Sequence, residues 1–258
     1  MAPMSRGLCR SMGIAATAFA CGLPVPAEAA EVSVAVAANF TAPMQKIAAG
    51  FEQATGHRAL LAFGSTGAFQ AQIRNGGPFE LLLAADRIVP AQLEADGYAV
   101  PGTRFTYAIG RLVLWSRNPT LVDDHGEILR SGRFERIAIA NPKLAPYGTA
   151  GIEVLARMRV LEAVHSKIVH GENIAQTWQF VASGNAQLGF VALSQIQRNG
   201  RLVEGSAWVV PETLHEPIRQ DAVLLKPGKD KAAARALVDY LRSDAARAVI
   251  VGSGYALP

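Results

Sequence analysis

Short apolar segments alternate along this chain with segments whose apolar residues recur at helical spacing. The apolar run at 32–37 is followed by Phe40, Met44, Ile47 and Phe51, which fall on one face of a helix. The same alternation continues to the end of the chain. It is typical of sheets whose parallel strands are joined by crossover helices, so the pattern predicts an α/β fold.

The remaining predicted strands are short apolar runs bounded by polar or turn residues. They lie at 59–63, 81–84, 112–115, 137–140, 167–169, 188–192 and 222–225. A closing helix is predicted from the helical spacing of Ala233, Leu237, Tyr240, Leu241 and Ala245.

The order of these elements allows two lobes. In that arrangement the chain crosses between them on strands near Tyr107 and near Ala222. The first lobe then comprises residues 30–107 and 223–258, and the second comprises 108–222. Periodicity leaves open the alternative of a single wide sheet.

The first 29 residues have the features of a secretory signal peptide. Arg6 and Arg10 precede an apolar run at 12–23, and residues 27–29 (Ala-Glu-Ala) fit a cleavage site near Ala29. The run is shorter than the ~20 apolar residues that span a bilayer. We therefore expect export across the membrane. Lipidation of Cys21 is an alternative form of this leader.

Composition narrows the chemistry of the mature chain. Both cysteines, Cys9 and Cys21, lie in the leader, so we expect no disulfide and no cysteine–metal site. The formal net charge of +4 at pH 7 mildly favours anionic partners. Lysine and arginine are scattered among acidic residues rather than arranged in a stripe, and we predict no nucleic-acid partner.

Four junctions between a strand and a helix share one character: small residues end the strand and polar residues begin the helix. They lie at 37–41, 63–67, 141–151 and 172–176. The first turn of a helix has backbone N–H groups without internal partners and carries partial positive charge. Several such ends brought together bind an anion without lysine or arginine. The alternative for each junction alone is ordinary capping, for example by Asn39 or Thr41.

Catalytic and cation-binding patterns are weak. Residues 64–67 (Gly-Ser-Thr-Gly) lack the spacing of a nucleophile elbow. The acidic segment 123–127 is typical of a solvated turn rather than a metal loop. The five histidines are scattered among polar residues, and we interpret all of them as surface positions: His57, His125, His165, His170 and His215. We therefore predict neither an enzyme nor a cation site.

From residue 32 to 258 the chain resembles the periplasmic molybdate-binding proteins that serve ABC transporters. The resemblance rests on four segments. They are 37–41 (Ala-Ala-Asn-Phe-Thr), 104–110 (Arg-Phe-Thr-Tyr-Ala-Ile-Gly), 141–148 with its Asn-Pro and Ala-Pro-Tyr-Gly, and 188–192 (Leu-Gly-Phe-Val-Ala). It implies two α/β lobes, each a mainly parallel sheet flanked by helices, joined by a two-strand hinge. It also implies a monomer that closes over molybdate or tungstate, uses no cofactor, and docks on a membrane permease.

The resemblance also implies which residues bind the oxyanion. Ala38 and Asn39 correspond to the first junction, and Thr66, with Ser65 beside it, to the second. Tyr147 corresponds to the third. The fourth contributes the backbone N–H of Ile174.

One branch of the family differs from this chain in its donors. That branch has serine at the positions of Asn39 and Thr66, and its tyrosine donor stands where this chain has Ala192. Tyr147 therefore looks like the replacement donor here. The changed donor set leaves the choice between molybdate and tungstate open.

Three other classes of function compete with this interpretation. The nearest is an exported binding protein for another oxyanion such as sulfate, or for a small organic acid. A carboxylate ligand usually needs an arginine clamp, and none of the four junctions contains an arginine. An enzyme and an adhesion module are the other two.

Overall fold

The computed structural model describes residues 29–198 and 200–258. The predicted leader, with Cys9, Cys21 and the signal preceding Ala29, lies outside the described residues. Within the described part of the chain, no helix has the length and apolar character needed to cross a membrane.

Strands and helices alternate through most of the chain. The strands are β1 (Glu31–Ala37), β2 (Arg58–Gly64), β3 (Leu81–Leu83), β4 (Phe105–Gly110), β5 (Leu112–Ser116), β6 (Ile137–Ala140), β7 (Ile168–Gly171), β8 (Leu188–Ala192), β9 (Gln197–Arg198), β10 (Arg201–Leu202), β11 (Ser206–Val209) and β12 (Ile218–Leu224). The α-helices are α1 (Thr41–Thr55), α2 (Thr66–Arg74), α3 (Ile88–Ala95), α4 (Glu127–Ser131), α5 (Pro146–Arg157), α6 (Leu161–Val164), α7 (Ile174–Ala182), α8 (Leu193–Ile196), α9 (Ala232–Leu241) and α10 (Asp244–Gly252).

The strands form two five-stranded sheets, one in each lobe, and a small two-stranded ribbon of β9 and β10. The first sheet has the order β2-β1-β3-β12-β4, and the second has the order β11-β5-β8-β6-β7. Only Arg111 separates β4 from β5, so the chain passes straight from one sheet to the other. It returns on the segment between β11 and β12. The predicted lobe boundaries at 107/108 and 222/223 fall inside β4 and β12, which both belong to the first sheet.

Each sheet is mixed, whereas the sequence predicted mainly parallel sheets. In the first, β1 runs parallel to β2 and β3, but β12 runs antiparallel to β3 and β4. In the second, β6 runs parallel to β7 and β8, but β5 runs antiparallel to β8 and β11. The antiparallel strands are those on which the chain enters and leaves a lobe without a crossover helix, and parallel pairing requires such a connection.

Apolar side chains cover both faces of each sheet. In β1, Val34 and Val36 pack toward α1, while Ala35 belongs to a second cluster that includes Phe69 of α2. This separation follows from the alternation of side chains along a strand. The main core of the second lobe also includes three alanines of the first: Ala37, Ala38 and Ala85. The two lobes therefore touch through small apolar residues, in a closed arrangement.

The predicted closing helix is two helices. α9 ends at Leu241, and α10 begins at Asp244 after a break. The hydroxyl oxygen of Ser243 accepts a hydrogen bond from the backbone N–H of Ala246 (3.3 Å) and caps the second helix. A serine that caps a new helix competes with continuation of the old one, and spacing alone did not reveal this.

We predict that Ser243→Ala lowers the free energy of unfolding by about 1 kcal/mol, because a lost N-cap leaves a first-turn N–H without its partner. Urea denaturation followed by circular dichroism measures this. Ser253→Ala is the matched control, since that serine follows the same helix and donates to the carbonyl of Val249 (2.7 Å) instead of capping its start. Equal losses in the two variants would contradict the capping role.

Candidate functional site

The four junctions singled out in the sequence meet at one place. In the first sheet, β1 and β2 end side by side, with Ala37 paired to Gly64. In the second, β6 and β7 end side by side, with Ala140 paired to Gly171. The two pairs of strand ends face each other across a small cavity with about 210 Å³ of space between atoms, its opening included.

All of the residues that the sequence assigned to the site lie around this cavity. Twelve residues line it: Ala37, Ala38, Asn39, Gly64, Ser65, Thr66, Ala85, Ala145, Pro146, Tyr147, Asn173 and Ile174. None of these has a charged side chain. The lining is therefore neutral, and its polar character comes from hydroxyls, amides and backbone groups.

Helix starts supply most of the donors. A short 3-10 turn begins at Ala38, and α2, α5 and α7 begin at Thr66, Pro146 and Ile174. Their first N–H groups have no acceptor inside the helix and carry the positive end of the helix dipole. Pro146 has no N–H, so Tyr147 provides the first backbone donor of α5. Such an arrangement favours a small anion.

The second junction adds hydroxyl groups. The Thr66 side-chain oxygen accepts a hydrogen bond from the backbone N–H of Ala85 (2.9 Å), which leaves its proton free to donate. The Ser65 hydroxyl forms no hydrogen bond with any residue that the structure describes. Both side chains are buried. They can therefore donate to a ligand without first giving up a protein partner.

At the fourth junction the capping alternative holds for Asn173. Its side-chain oxygen accepts from the backbone N–H groups of Ala175 (2.9 Å) and Gln176 (3.1 Å). This satisfies the second and third N–H groups of α7. Ile174, the first residue of this helix, lines the cavity, and its N–H has no acceptor among the described residues.

At the first junction the capping alternative is wrong for both candidates. Thr41 donates its hydroxyl proton back to the carbonyl of Ala38 (2.8 Å). The Asn39 side-chain nitrogen donates to the side-chain oxygen of Gln220 (2.9 Å) and to the hydroxyl of Tyr255 (3.0 Å). Asn39 is tied to the base of the cleft rather than to the start of α1.

Tyr147 reaches the same base from the second lobe. Its hydroxyl accepts from the side-chain nitrogen of Gln220 (3.2 Å). It lies so close to Gly110 that a Cβ atom there would stand 2.1 Å from the phenolic oxygen. Gly110 is the last residue of β4, so the tyrosine packs where the chain crosses between lobes.

Three buried tyrosines surround this base, and burial raises the pKa of each. Burial raises the pKa of Tyr107 and Tyr147 well above 10, helped by the neighbouring Tyr255 hydroxyl. Burial likewise raises the pKa of Tyr255 to about 12, although its hydrogen bonds with Ser194 and Asn39 act in the opposite direction. All three are neutral phenols at physiological pH.

Besides the bond between Gln220 and Tyr147, further hydrogen bonds link the lobes directly. The backbone N–H of Gly67 donates to the carbonyl of Leu144 across the cleft (2.9 Å). The hydroxyl of Ser194, in α8, donates to the carbonyl of Asn39 (2.9 Å). These bonds, with the apolar contact between lobes, give the closed state its own stabilising interactions.

Sequence reasoning missed four polar residues beside the site: Tyr107, Ser194, Gln220 and Tyr255. Tyr107 lies in the segment 104–110 that helped to carry the resemblance. The sequence did contain a signal for Gln220, which stands with Asp221 directly before the apolar run at 222–225. Polar residues that a strand buries need hydrogen-bond partners, so such a pair points to a functional or structural contact. A shift of register between these two residues lets both point inward.

One histidine differs from its predicted surface position. His215 is buried, and its ring nitrogen Nδ1 forms a hydrogen bond with the carbonyl of Glu216 (2.7 Å). This hydrogen bond gives the buried ring nitrogen a partner, whereas the polar neighbours of His215 in the sequence had suggested a ring exposed to solvent. Within the described residues, no three or more His, Cys, Asp or Glu side chains are grouped so as to hold a metal ion.

Comparison with known proteins identifies the family. The model of the family described as bacterial extracellular solute-binding protein matches residues 32–256. The chain belongs to this family. A molybdate-binding protein ModA of Azotobacter vinelandii is 57% identical over 235 residues, covering 91% of this chain and 93% of the relative. A ModA of Rhodobacter capsulatus is 50% identical over 244 residues, covering 94% and 95%.

The fold agrees with this family as well. The structure of the A. vinelandii periplasmic molybdate-binding protein matches with a TM-score of 0.85 and 41% identity, over 88% of this chain and 99% of that one. The resemblance stated from the sequence is thus confirmed, and so is a two-lobed α/β fold. The neutral cavity lies between the two lobes of this fold.

We predict that the buried tyrosines resist ionisation in the folded protein. The chain has five tyrosines, and an exposed phenol titrates near pH 10. A native spectrophotometric titration should show Tyr255 ionising near pH 12, and Tyr107 and Tyr147 ionising only as the protein unfolds. Because their folded pKa values are raised, they stabilise the fold below pH ~10, and this contribution is lost as pH rises further. Ionisation of all the tyrosines together near pH 10 in an intact fold would contradict this.

Proposed function

We propose that this protein captures molybdate, and also tungstate, in the periplasm and delivers it to the membrane permease of an ABC importer. The observation that carries the proposal is the cavity of neutral donors between the lobes. The two relatives named as molybdate-binding proteins support the choice of ligand. The predicted leader supports export.

A neutral cavity rich in hydrogen-bond donors suits a fully deprotonated oxyanion. Backbone N–H groups and hydroxyls offer charge-assisted hydrogen bonds, which are short and strong. Hydrogen phosphate carries a proton that needs an acceptor. The side-chain oxygen of Asn173 is already used by its own helix, and the side-chain oxygen of Asn39 points away from an anion to which the Asn39 nitrogen donates. Phosphate is therefore disfavoured by chemistry rather than by size.

Sulfate is the rival ligand. It is also a tetrahedral dianion, but its oxygens lie closer to the central atom. A rigid ring of donors spaced for the larger ion leaves some hydrogen bonds long or unpaired around the smaller one, and buried unpaired donors are costly. The identity of 50–57% to molybdate-binding proteins favours molybdate over sulfate here.

Binding and lobe closure form one equilibrium in this proposal. Donors at Asn39 and Thr66 belong to the first lobe, and those at Tyr147 and Ile174 to the second. An anion bridging them stabilises the closed state because half of its contacts are absent when the lobes part. The closed shape is then the form presented to the permease.

The proposal includes no chemical step. The anion enters and leaves unchanged, and the hydroxyls near the cavity act as hydrogen-bond donors rather than as acids or nucleophiles. One chain supplies every donor named here, so a monomer suffices.

Isothermal titration calorimetry with the mature protein tests the ligand assignment. We expect tight 1:1 binding of molybdate and tungstate, far weaker binding of sulfate, and no measurable heat with phosphate. Tight sulfate binding without a response to molybdate would overturn the proposal in favour of the rival. Since the ligand stabilises only the folded state, the melting temperature should rise with molybdate concentration.

The close approach of Gly67 to Leu144 gives a test of closure. A Cβ atom at residue 67 would stand 3.0 Å from the Leu144 Cα atom and 3.2 Å from its carbonyl oxygen. Gly67→Ala should therefore weaken molybdate binding by about 1 kcal/mol or more, the typical cost of overpacking. This steric cost arises only when the lobes are closed. Urea denaturation should therefore show little or no decrease in the free energy of unfolding of the ligand-free protein.

Gly252→Ala is the matched control, because a Cβ at that helical glycine meets nothing within 4 Å. Its molybdate affinity should equal that of the wild type. Small-angle scattering should show the Gly67→Ala protein less compact than the control at the same molybdate concentration. Equal affinity in the two variants would contradict closure by direct contact between residues 67 and 144.

A further inference from the structure

Gln220 touches donors of both lobes although it does not line the anion cavity. Its side chain is wholly buried on β12, the strand by which the chain returns to the first lobe. Its oxygen accepts from the Asn39 side-chain nitrogen (2.9 Å) and the Tyr107 hydroxyl (3.0 Å). Its nitrogen donates to the Tyr147 hydroxyl (3.2 Å). A buried amide is costly unless it is fully bonded, and this one is bonded to two residues that line the cavity.

The contact with Gln220 determines which atom of the Asn39 amide faces the cavity. With its nitrogen donating to Gln220 and to the Tyr255 hydroxyl (3.0 Å), both side-chain N–H groups are used inside the protein. Its side-chain oxygen accepts no hydrogen bond from a described residue. Asn39 lines the cavity. In this orientation its side chain offers an anion only an acceptor, which repels it.

The opposite orientation of the two amides keeps their partners satisfied. A 180° turn exchanges the oxygen and nitrogen of a side-chain amide. If both turn, the Asn39 side-chain oxygen accepts from the Gln220 nitrogen, and the Gln220 oxygen accepts from the Tyr147 hydroxyl. The Tyr255 hydroxyl moves its proton from the Asn39 backbone carbonyl (2.7 Å) to the Asn39 side-chain oxygen. The Tyr107 hydroxyl keeps its bond to a backbone carbonyl of the first lobe (3.0 Å). The Asn39 nitrogen is then free to donate to the anion.

The two orientations are coupled, because two facing nitrogens would leave a buried contact without an acceptor and two facing oxygens would leave it without a proton. The backbone carbonyl of Asn39 stays satisfied in both, since Ser194 donates to it (2.9 Å). The orientation of the Gln220 amide therefore determines whether the Asn39 nitrogen or oxygen faces the cavity. Tyr147, in the other lobe, is bonded to the same Gln220 amide.

We propose that Gln220 is a positioning residue for oxyanion binding: the bound anion turns the coupled amides, and Gln220 then holds the Asn39 nitrogen toward it. This inference rests on the proposed function and assigns part of its specificity to a residue outside the cavity. An acceptor-only side chain at position 220 would hold the Asn39 nitrogen inward and leave its oxygen toward the anion.

Gln220→Glu tests this with almost no change of shape. At pH 8 the introduced carboxylate can only accept, so molybdate binding should weaken by roughly tenfold to a hundredfold, as for a lost hydrogen bond to a charged group. The loss should lie mainly in faster dissociation. Burial raises the pKa of a carboxyl group, and a protonated carboxyl both donates and accepts as the amide does. Affinity relative to wild type should therefore recover as the pH falls from 8 to 6.

The surroundings of residue 220 leave this pH dependence interpretable. The hydroxyls of Tyr107, Tyr147 and Tyr255 are neutral across this range because burial raises each pKa. Asp221, the next residue, is held by Arg104 (2.7 Å) and by a threonine hydroxyl on β4. Asp86 on the first lobe lies near both Tyr107 and Asp221, and burial raises its pKa. Wild type contains the same groups, so its affinity at each pH corrects for them and for the anion itself.

Gln187→Glu is the matched control. It makes the same change before β8, where the side-chain oxygen of Gln187 accepts only from the backbone N–H of Arg136 (2.8 Å), at the end of the sheet away from the cavity. It should bind molybdate like wild type at both pH values. Gln220→Met, which removes the amide without adding a carboxyl, should bind weakly at both.

The outcomes separate the two proposals. Wild type that fails to bind molybdate would overturn the proposed function. Wild-type binding together with undiminished binding by folded Gln220→Met, or a Gln220→Glu loss that is the same at pH 6 and pH 8, would overturn the role of Gln220. Recovery toward wild type at pH 6 in Gln220→Glu alone would support it, since a merely structural defect does not reverse with one proton.

Discussion

A small cavity that is to hold a dianion without a cationic side chain must obtain its positive potential from the backbone. Only the first turn of a helix offers several free N–H groups with aligned dipoles, so several helix starts must converge on one point. In an α/β sheet, helices start at the carboxyl ends of the strands. Convergence of helices from two sheets therefore requires that the two sheets face each other by those ends, as the paired ends Ala37–Gly64 and Ala140–Gly171 do.

This constraint also explains the mixed sheets. If every strand were followed by a crossover helix, the chain would pass from one lobe to the other at a distance from the cavity. Instead β4 leads directly into β5, and β12 returns antiparallel to β4. The crossing strands thus lie at the base of the cleft, within reach of residues that line it. Gln220 and Tyr107 occupy this base, which is why polar residues outside the cavity are bonded to Asn39 and Tyr147.

The sequence predicted well the parts of the molecule that are determined locally. The bounds of β6 and β8 match the predicted runs at 137–140 and 188–192, because a buried strand is visible as a continuous apolar segment. The site residues converge as expected, since each junction combines a strand end with a helix start. The partners of Asn39 were not predictable in this way. They lie 181 and 216 residues further along the chain, and no local pattern connects them. The strand β11 and the break at Ser243 were missed because a short edge strand and a mid-helix serine carry weak signals.

The small residues around the cavity follow from the same use of the backbone. Donors on the main chain reach a ligand only where side chains do not stand in front of them, and the lining accordingly contains alanine and glycine at the ends of β1 and β2 and before α5. Gly148 shows how tight the packing behind these donors is, since a Cβ atom there would lie 2.0 Å from the carbonyl oxygen of Ala140. The start of α5 thus rests directly on the end of β6. A site made of backbone donors requires small side chains around those donors. Its sequence signature therefore consists of alanine, glycine and a few hydroxyl residues rather than of charged residues.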